Sequence, residues 1–232
     1  MTQSPAALPP RESPVTYTWF EAWRAALTRP SVATYTDLIL DPRAGLGRAV
    51  AWLFVSALLA YLIGMALQSL LFPSVLAEVI REAGETAPAG LWSTPGALLA
   101  LSLACMPFIA PFAVASYLVG FGLVHFVASA LGSQGSYTQL VYAHAAYIAP
   151  LGMLTTVLGM VPLVNCLTLP LALYGFSLQL MALKAATRLS WGRVLAVLAI
   201  LALFVILLAV VLTFGLLAPE FDRWIPSSGR AF

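Results

Sequence analysis

Between Leu91 and Leu183 the titratable side chains of note are His125, His144, Cys105, Cys166 and several tyrosines, and the first four suit ligation or nucleophilic chemistry. The two histidines flank an uncharged, glycine-punctuated stretch, Gly132-Ser133-Gln134-Gly135-Ser136-Tyr137, which joins two apolar runs. Counted from Gly135 along antiparallel helices rising 1.5 Å per residue, both rings fall roughly 10–12 Å into the same leaflet. They could then face each other, as a metal or a porphyrin held between helices requires. Two ligands make a poor metal site, and neither run offers a nearby carboxylate or cysteine to complete or orient one. The plainer reading is structural: Tyr142, Tyr147 and Ser129 hydrogen-bond the rings, because polar groups buried in lipid need partners in any case. His125 and His144 are the cofactor-binding candidates, and the expectation is no cofactor and no metal.

Other chemistry is sparse. Two cysteines are too few for a disulfide framework or a structural zinc site. The sequence has no HExxH, nucleophile elbow, phosphate loop or dinucleotide fingerprint. Ion-coupled transporters usually place ionisable residues inside the membrane, and the central parts of these runs hold none. Asn165 and Gln179 are the strongest polar residues there besides the histidines, read as interhelical hydrogen-bonders. No enzyme is expected, and no catalytic residue.

The elements that must position these groups follow from composition. Hydrophobic residues make up 61% and charged residues 9% of the 232, against roughly 45–50% and about 25% in soluble domains. A net charge of +2 gives nucleic acid no footprint to bind. Apolar runs this long read as membrane-spanning helices. The expected fold is all-α: a polytopic membrane protein, a bundle of five transmembrane helices with proline kinks, preceded by a short amphipathic N-terminal helix.

Residues 1–17 are Pro/Ser/Ala-rich and read as a disordered tail. The segment 18–46 is cytoplasmic and amphipathic. Thr18 followed three residues later by Glu21 is a capping-box spacing, and the helix it starts carries Trp19, Phe20, Trp23, Ala26 and Leu27 on one face. That face suits a membrane surface or this protein's own bundle. Arg29-Pro30 ends it. A second capping box at Thr34 and Asp37 precedes Leu38, and a turn follows at Asp41-Pro42. The five-helix domain is 47–217, with spans at 47–72, 107–131, 138–160, 162–183 and 191–217, and a loop at 73–96 between the first two. Residues 218–232 form a short tail. Pro107, Pro111, Pro150 and Pro170 are the expected kinks, each freeing a backbone carbonyl that neighbouring helices must satisfy. In the turn, Gly132 and Gly135 are expected to permit positive φ, and Ser136 or Thr138 to cap the next helix.

Orientation comes from counting. One side holds Arg11, Arg24, Arg29, Arg43, Arg48, Lys184, Arg188 and Arg193; the other holds Arg81, Arg223 and Arg230. Excess basic residues mark the cytoplasmic side. The N-terminus is therefore expected inside and, with five spans, the C-terminus outside. Arginine supplies all basic residues but Lys184, a usage that suits a GC-rich bacterium and places the chain in its cytoplasmic membrane. Trp19, Phe20, Trp23, Arg24, Arg29, Lys184, Arg188, Trp191 and Arg193 are the expected membrane-surface or partner-docking residues.

The aromatic segment ending in Arg29-Pro30, the turn Gly132 to Gln139, Tyr147-Ile148-Ala149-Pro150, and the fourth span leading to Ser190-Trp191-Gly192-Arg193 resemble the Yip domain. This is the five-span membrane domain of Rab-interacting Yip/Yif proteins and their bacterial relatives, and the similarity runs from about Trp19 to Leu217. The eukaryotic members act in vesicle trafficking through a cytoplasmic N-terminal region that contacts Rab GTPases. Many carry an Asp-Leu-(aromatic)-Gly-Pro type motif, whereas this chain has only Asp37-Leu38 and Asp41-Pro42 with no glycine between them. A Rab-type partner is therefore not expected. The resemblance implies a fold and a topology, and the expected function is a non-catalytic scaffold or accessory subunit among other integral membrane subunits. The alternatives are a carrier for a lipid or small apolar solute, and a cofactor-binding subunit using the two histidines.

Overall fold

A computed structural model describes residues 16–71, 95–160 and 164–224, with side chains for 16–67, 103–159 and 164–214. The loop expected at 73–96, except its last two residues, which begin a helix, lies outside the described residues, as do residues 1–15, the start of the fourth span at Pro162 and residues 225–232. Those described fold into seven α-helices with one short 3-10 turn. Helix α1 is Trp19–Thr28, α2 is Val32–Leu40, α3 is Leu46–Leu71, α4 is Pro95–Ala130, α5 is Tyr137–Met160, α6 is Thr168–Thr187 and α7 is Trp191–Trp224. Among the described residues, five stretches are long and apolar enough to cross a membrane: Leu46–Leu67, Leu103–Ala130, Tyr137–Gly159, Asn165–Thr187 and Trp191–Phe214. This is the expected all-helical polytopic bundle.

Helix α1 starts where the capping box requires. Glu21 N–H donates to Thr18 Oγ1 at 3.3 Å and Thr18 N–H donates to Glu21 Oε2 at 2.8 Å, satisfying two donors that helix geometry leaves free. Helix α2 begins earlier than the Thr34–Asp37 spacing predicts. Ser31 is its cap, with Oγ accepting from Thr34 N–H at 3.0 Å. Thr34 is thus already inside the first turn, and its hydroxyl donates back to the Arg29 carbonyl at 2.8 Å.

The prolines sit differently from one another. Pro107 and Pro111 fall inside α4 and Pro150 inside α5, both assigned as unbroken helices. Pro170 is not at mid-span, because α6 begins only at Thr168 after the 3-10 turn Asn165–Leu167. A first-turn proline lacks an N–H that would have had no intrahelical partner, so it costs the helix nothing there. At the other end α7 continues through Pro219 to Trp224.

Helix α5 is the core. Every residue from Leu140 to Tyr147 is buried, and α3, α6, α1, α4 and α2 all pack against it. The small residues Ala143, Ala145, Ala146 and Ala149 face those neighbours, which lets backbones approach closely where lipid supplies no hydrophobic drive to associate. Helix α7 is the opposite case. Val194 and Val197 are buried, but Leu203 to Phe214 are exposed throughout, as suits a helix bathed in acyl chains.

The pair α1–α2 forms a hairpin laid lengthwise on α5 and α6. At its open end Trp19 and Trp23 each lie 6.2 Å from Trp52 near the start of α3. Towards its tip, the Tyr35 ring lies 6.3 Å from Tyr147, and Tyr174 donates its hydroxyl to the Leu27 carbonyl. Tyr147 is ten residues into α5, and Tyr174 is thirteen before the end of α6. At 1.5 Å per residue the hairpin reaches about 15–20 Å along the bundle.

Candidate functional site

Two connections, α4–α5 and α6–α7, meet at one end of the bundle, and the uncharged turn is their joint. Gly132 takes φ +89 after the C-terminus of α4, a conformation that glycine adopts without penalty. Gly135 does not need positive φ. A Cβ there would lie 1.7 Å from the Ala186 carbonyl oxygen, so the residue is glycine because the turn presses on the end of α6. Gln134 N–H and the Ser133 hydroxyl both donate to the Thr187 carbonyl, at 3.3 and 3.2 Å. Arg193 Nη1 donates to the Leu131 carbonyl at 3.3 Å. Arg188 adopts φ 58 as the left-handed cap of α6, and Lys184 donates to the Leu189 carbonyl while lying 5.6 Å from the Trp191 ring. Ser136 caps α5 by accepting from Gln139 N–H at 3.2 Å, and Gln139 Oε1 accepts from Ser136 N–H at 3.1 Å. This second capping box was readable as Ser-x-x-Gln.

The histidines do not face each other. His125 lies edge-on to Tyr137 at 5.8 Å, whereas His144 meets Phe121 at 5.2 Å and Tyr147 at 5.8 Å. Residues 131–136 are not helical, so depths counted from Gly135 place His125 too deep. Its ring sits one helical turn nearer the connection than Phe121 does. Nor do the expected hydroxyls hold the rings. His144 Nδ1 is 2.8 Å from its own-helix Leu140 carbonyl, Tyr137 donates to the Leu118 carbonyl at 2.8 Å, and Tyr142 lies against Trp52 at 4.9 Å. Among the described residues, no group of three or more His, Cys, Asp or Glu is placed to hold a metal ion.

A second cluster escaped the sequence reading. Asp41, buried at the α2–α3 turn, accepts from Tyr17 N–H at 3.1 Å, Arg43 N–H at 2.9 Å and Arg48 Nη1 at 3.3 Å. The Arg48 guanidinium lies 4.9 Å from the Trp52 ring centroid and 5.9 Å from that of Tyr142. The available signal was Arg48 itself, a lone charge at the mouth of a long apolar run. Trp23 Nε1, Trp52 Nε1, Arg48 Nε and the Tyr142 hydroxyl are buried in this cluster without a hydrogen-bond partner. An acceptor brought by water or a neighbouring chain would satisfy them. Burial raises the pKa of the Tyr17 hydroxyl, with the Asp37 and Asp41 carboxylates adding to the effect.

Of the docking residues named from sequence, Trp19 and Phe20 are 44% and 71% exposed, and Arg24, Arg29, Arg188, Trp191 and Arg193 are exposed as well. Trp23 and Lys184 are half-buried. A recess of about 320 Å³ runs along the outer face of the hairpin between Tyr17, Glu21, Arg24, Arg29, Thr34 and Asp37. A second, of about 440 Å³, opens between α4, α5 and α6, with His144 in its wall.

Five apolar helices, one of them a buried centre for the rest of the fold, tied at one end by docked turns, define a polytopic helical membrane protein. Comparison with known families places it further: the family model for the Yip1 domain matches residues 24–213. The chain belongs to the Yip1 domain family. No curated protein and no solved structure matches it.

Proposed function

We propose that this protein is a non-catalytic accessory or scaffold subunit of a membrane complex, engaged through the outer face of its α1–α2 hairpin. The observation that carries this reading is where that face lies. The hairpin runs alongside α5 and α6, two of the spans, yet it exposes Arg24, Arg29 and Asp37. Charges facing acyl chains are costly, at about 2.5–3.5 kcal/mol for an Arg or Asp at a helix centre. A protein surface with complementary polar groups covers them better than lipid does. Exposed Phe20 and Trp19 beside the charges supply the apolar part of such an interface. The partner is therefore another integral membrane subunit. A Rab-type GTPase is not proposed, since Leu38 and Asp41 are buried in the fold. Lys184, Arg188 and Arg193, beside Trp191 and with Arg43 at the α2–α3 turn, make the turn end basic. That suits a cytoplasmic leaflet of anionic lipid at about 1 kcal/mol per residue.

The test is isolation of the tagged full-length chain from native membranes in mild detergent, beside a Phe20→Ala/Arg24→Ala/Arg29→Ala variant. A stoichiometric membrane partner should accompany the wild type and fall at least about tenfold in the variant, with melting temperature unchanged. Equal recovery from both, or no stoichiometric partner with the wild type, would refute the docking role.

A further inference from the structure

The recess between α4, α5 and α6 carries an inference that does not depend on the hairpin. It lies wholly within spanning segments, its floor is α5, and its walls are α4 and α6. About 440 Å³ is within the range that holds ligand-sized molecules. Tyr117, Phe121, Phe176 and Ile148 give it apolar surface, and Tyr117 and Phe176 are exposed at its rim. No Asp, Glu, Lys or Arg lines it, so nothing in it would hold a charged headgroup.

The polar groups are few and specific. His144 is only 3% exposed, and its Nδ1 stands 2.8 Å from the Leu140 carbonyl. A carbonyl can only accept, so Nδ1 carries the proton and Nε2 of the neutral ring is an acceptor. Among the described residues no donor reaches Nε2, and the ring lines the recess. Tyr147 and Gln179 line the same space and supply donors. An acceptor beside donors in an apolar, lipid-facing groove is the complement of a neutral hydroxyl, which both donates and accepts.

We infer that this groove binds a neutral hydroxyl-bearing lipid, its O–H donated to His144 Nε2 and its hydrocarbon body packed against Phe121, Phe176 and Tyr117. Lipid is the solvent at the open side, so the ligand enters laterally from the bilayer. Its source can be a long-chain alcohol, an isoprenoid alcohol or a diacylglycerol, which share this chemistry. Ala172 is exposed in the wall, so a large side chain there fills the groove without entering the core.

The full-length protein in phosphatidylethanolamine–phosphatidylglycerol vesicles is irradiated with cetyl alcohol bearing a mid-chain diazirine, and the cross-links are mapped. Cross-links should fall on groove residues of α4, α5 and α6 and drop about tenfold in Ala172→Trp. His144→Leu should do the same. The methyl ether of the probe, which cannot donate, should label about tenfold less. Competition by unlabelled isoprenol or diacylglycerol then separates the sources. Undiminished labelling in Ala172→Trp, cross-links concentrated on α7, equal labelling by the ether, or no labelling would each overturn the assignment. So would a groove labelled after purification but shielded in native membranes, since that result gives the space to a partner's transmembrane helix. If His144→Leu fails to fold, the Ala172→Trp and ether arms decide alone.

Discussion

Arg48 Nη1 lies 3.3 Å from Asp41 Oδ2, and its Nη2 donates to the Tyr17 carbonyl at 2.7 Å. One guanidinium thereby ties the segment entering α1, the α2–α3 turn and the first spanning helix into a unit. The Asp41 side chain is fully buried and that of Arg48 nearly so, which makes the pair sensitive to loss of either member.

Asp41→Ala should therefore destabilise the protein by about 3–5 kcal/mol, the usual consequence of leaving one buried charge unpaired. A joint Asp41→Leu/Arg48→Met replacement should recover much of that loss, since both desolvation costs vanish together. Denaturant unfolding in micelles, followed by tryptophan fluorescence of the Trp23–Trp52 cluster, measures both. A cost below about 1 kcal/mol for Asp41→Ala would show that the pair is not a structural tie.

Two glycines should answer differently to the same methyl group. Gly135→Ala drives a Cβ into the Ala186 carbonyl, and backbone cannot yield as a side chain does. The loss should reach or exceed the about 1–3 kcal/mol of ordinary overpacking. At Gly152 nothing lies within 4 Å of the added carbon, so Gly152→Ala should be neutral or slightly stabilising. Thermal melts of the two variants side by side decide this, and equal melting temperatures would contradict it.

The capping box gives α1 a pH dependence. Hydrogen bonds from Thr18, led by its backbone N–H, lower the pKa of the exposed Glu21 carboxylate. A lowered folded-state pKa means the contribution is complete above the ordinary carboxylate range. It is lost as pH falls through that range and the depressed folded value. Acidification should loosen α1 against Trp52, reported by tryptophan fluorescence. Glu21→Gln, which keeps the reciprocal geometry without the titration, should remove that part of the response. A variant that still responds like the wild type would assign the effect elsewhere.

Five crossings would put the two termini on opposite sides. A reporter fused after Phe232 should read the extracytoplasmic side, and one fused before Met1 the cytoplasmic side. Matching readings at both ends would contradict the five-span topology.

Much of the architecture was legible in one dimension. Low charge and long apolar runs determine spanning helices because lipid offers no water to satisfy an open backbone. The Thr18–Glu21 cap was readable because a capping box is a contact between residues three apart in the chain. Pro170 was misplaced because hydropathy does not show where a helix starts, whereas a first-turn proline fits without penalty. The histidine pairing failed for a similar reason, since its depth estimate assumed helix through residues that form a turn.

What only the tertiary structure decided are the contacts between residues far apart in the chain. Gly135 is glycine because of Ala186, Asp41 is buried because of Arg48 and Tyr17, and the hairpin runs along the bundle because Tyr35 and Leu27 meet Tyr147 and Tyr174. The sequence by itself determined which stretches are helical and apolar, because periodicity, caps and burial in lipid act on neighbours. Which face of α1–α2 turns outward, and that His144 opens onto a groove rather than onto His125, depend on how the helices pack. In lipid that packing is set by close approach and hydrogen bonding, which no run of hydropathy encodes.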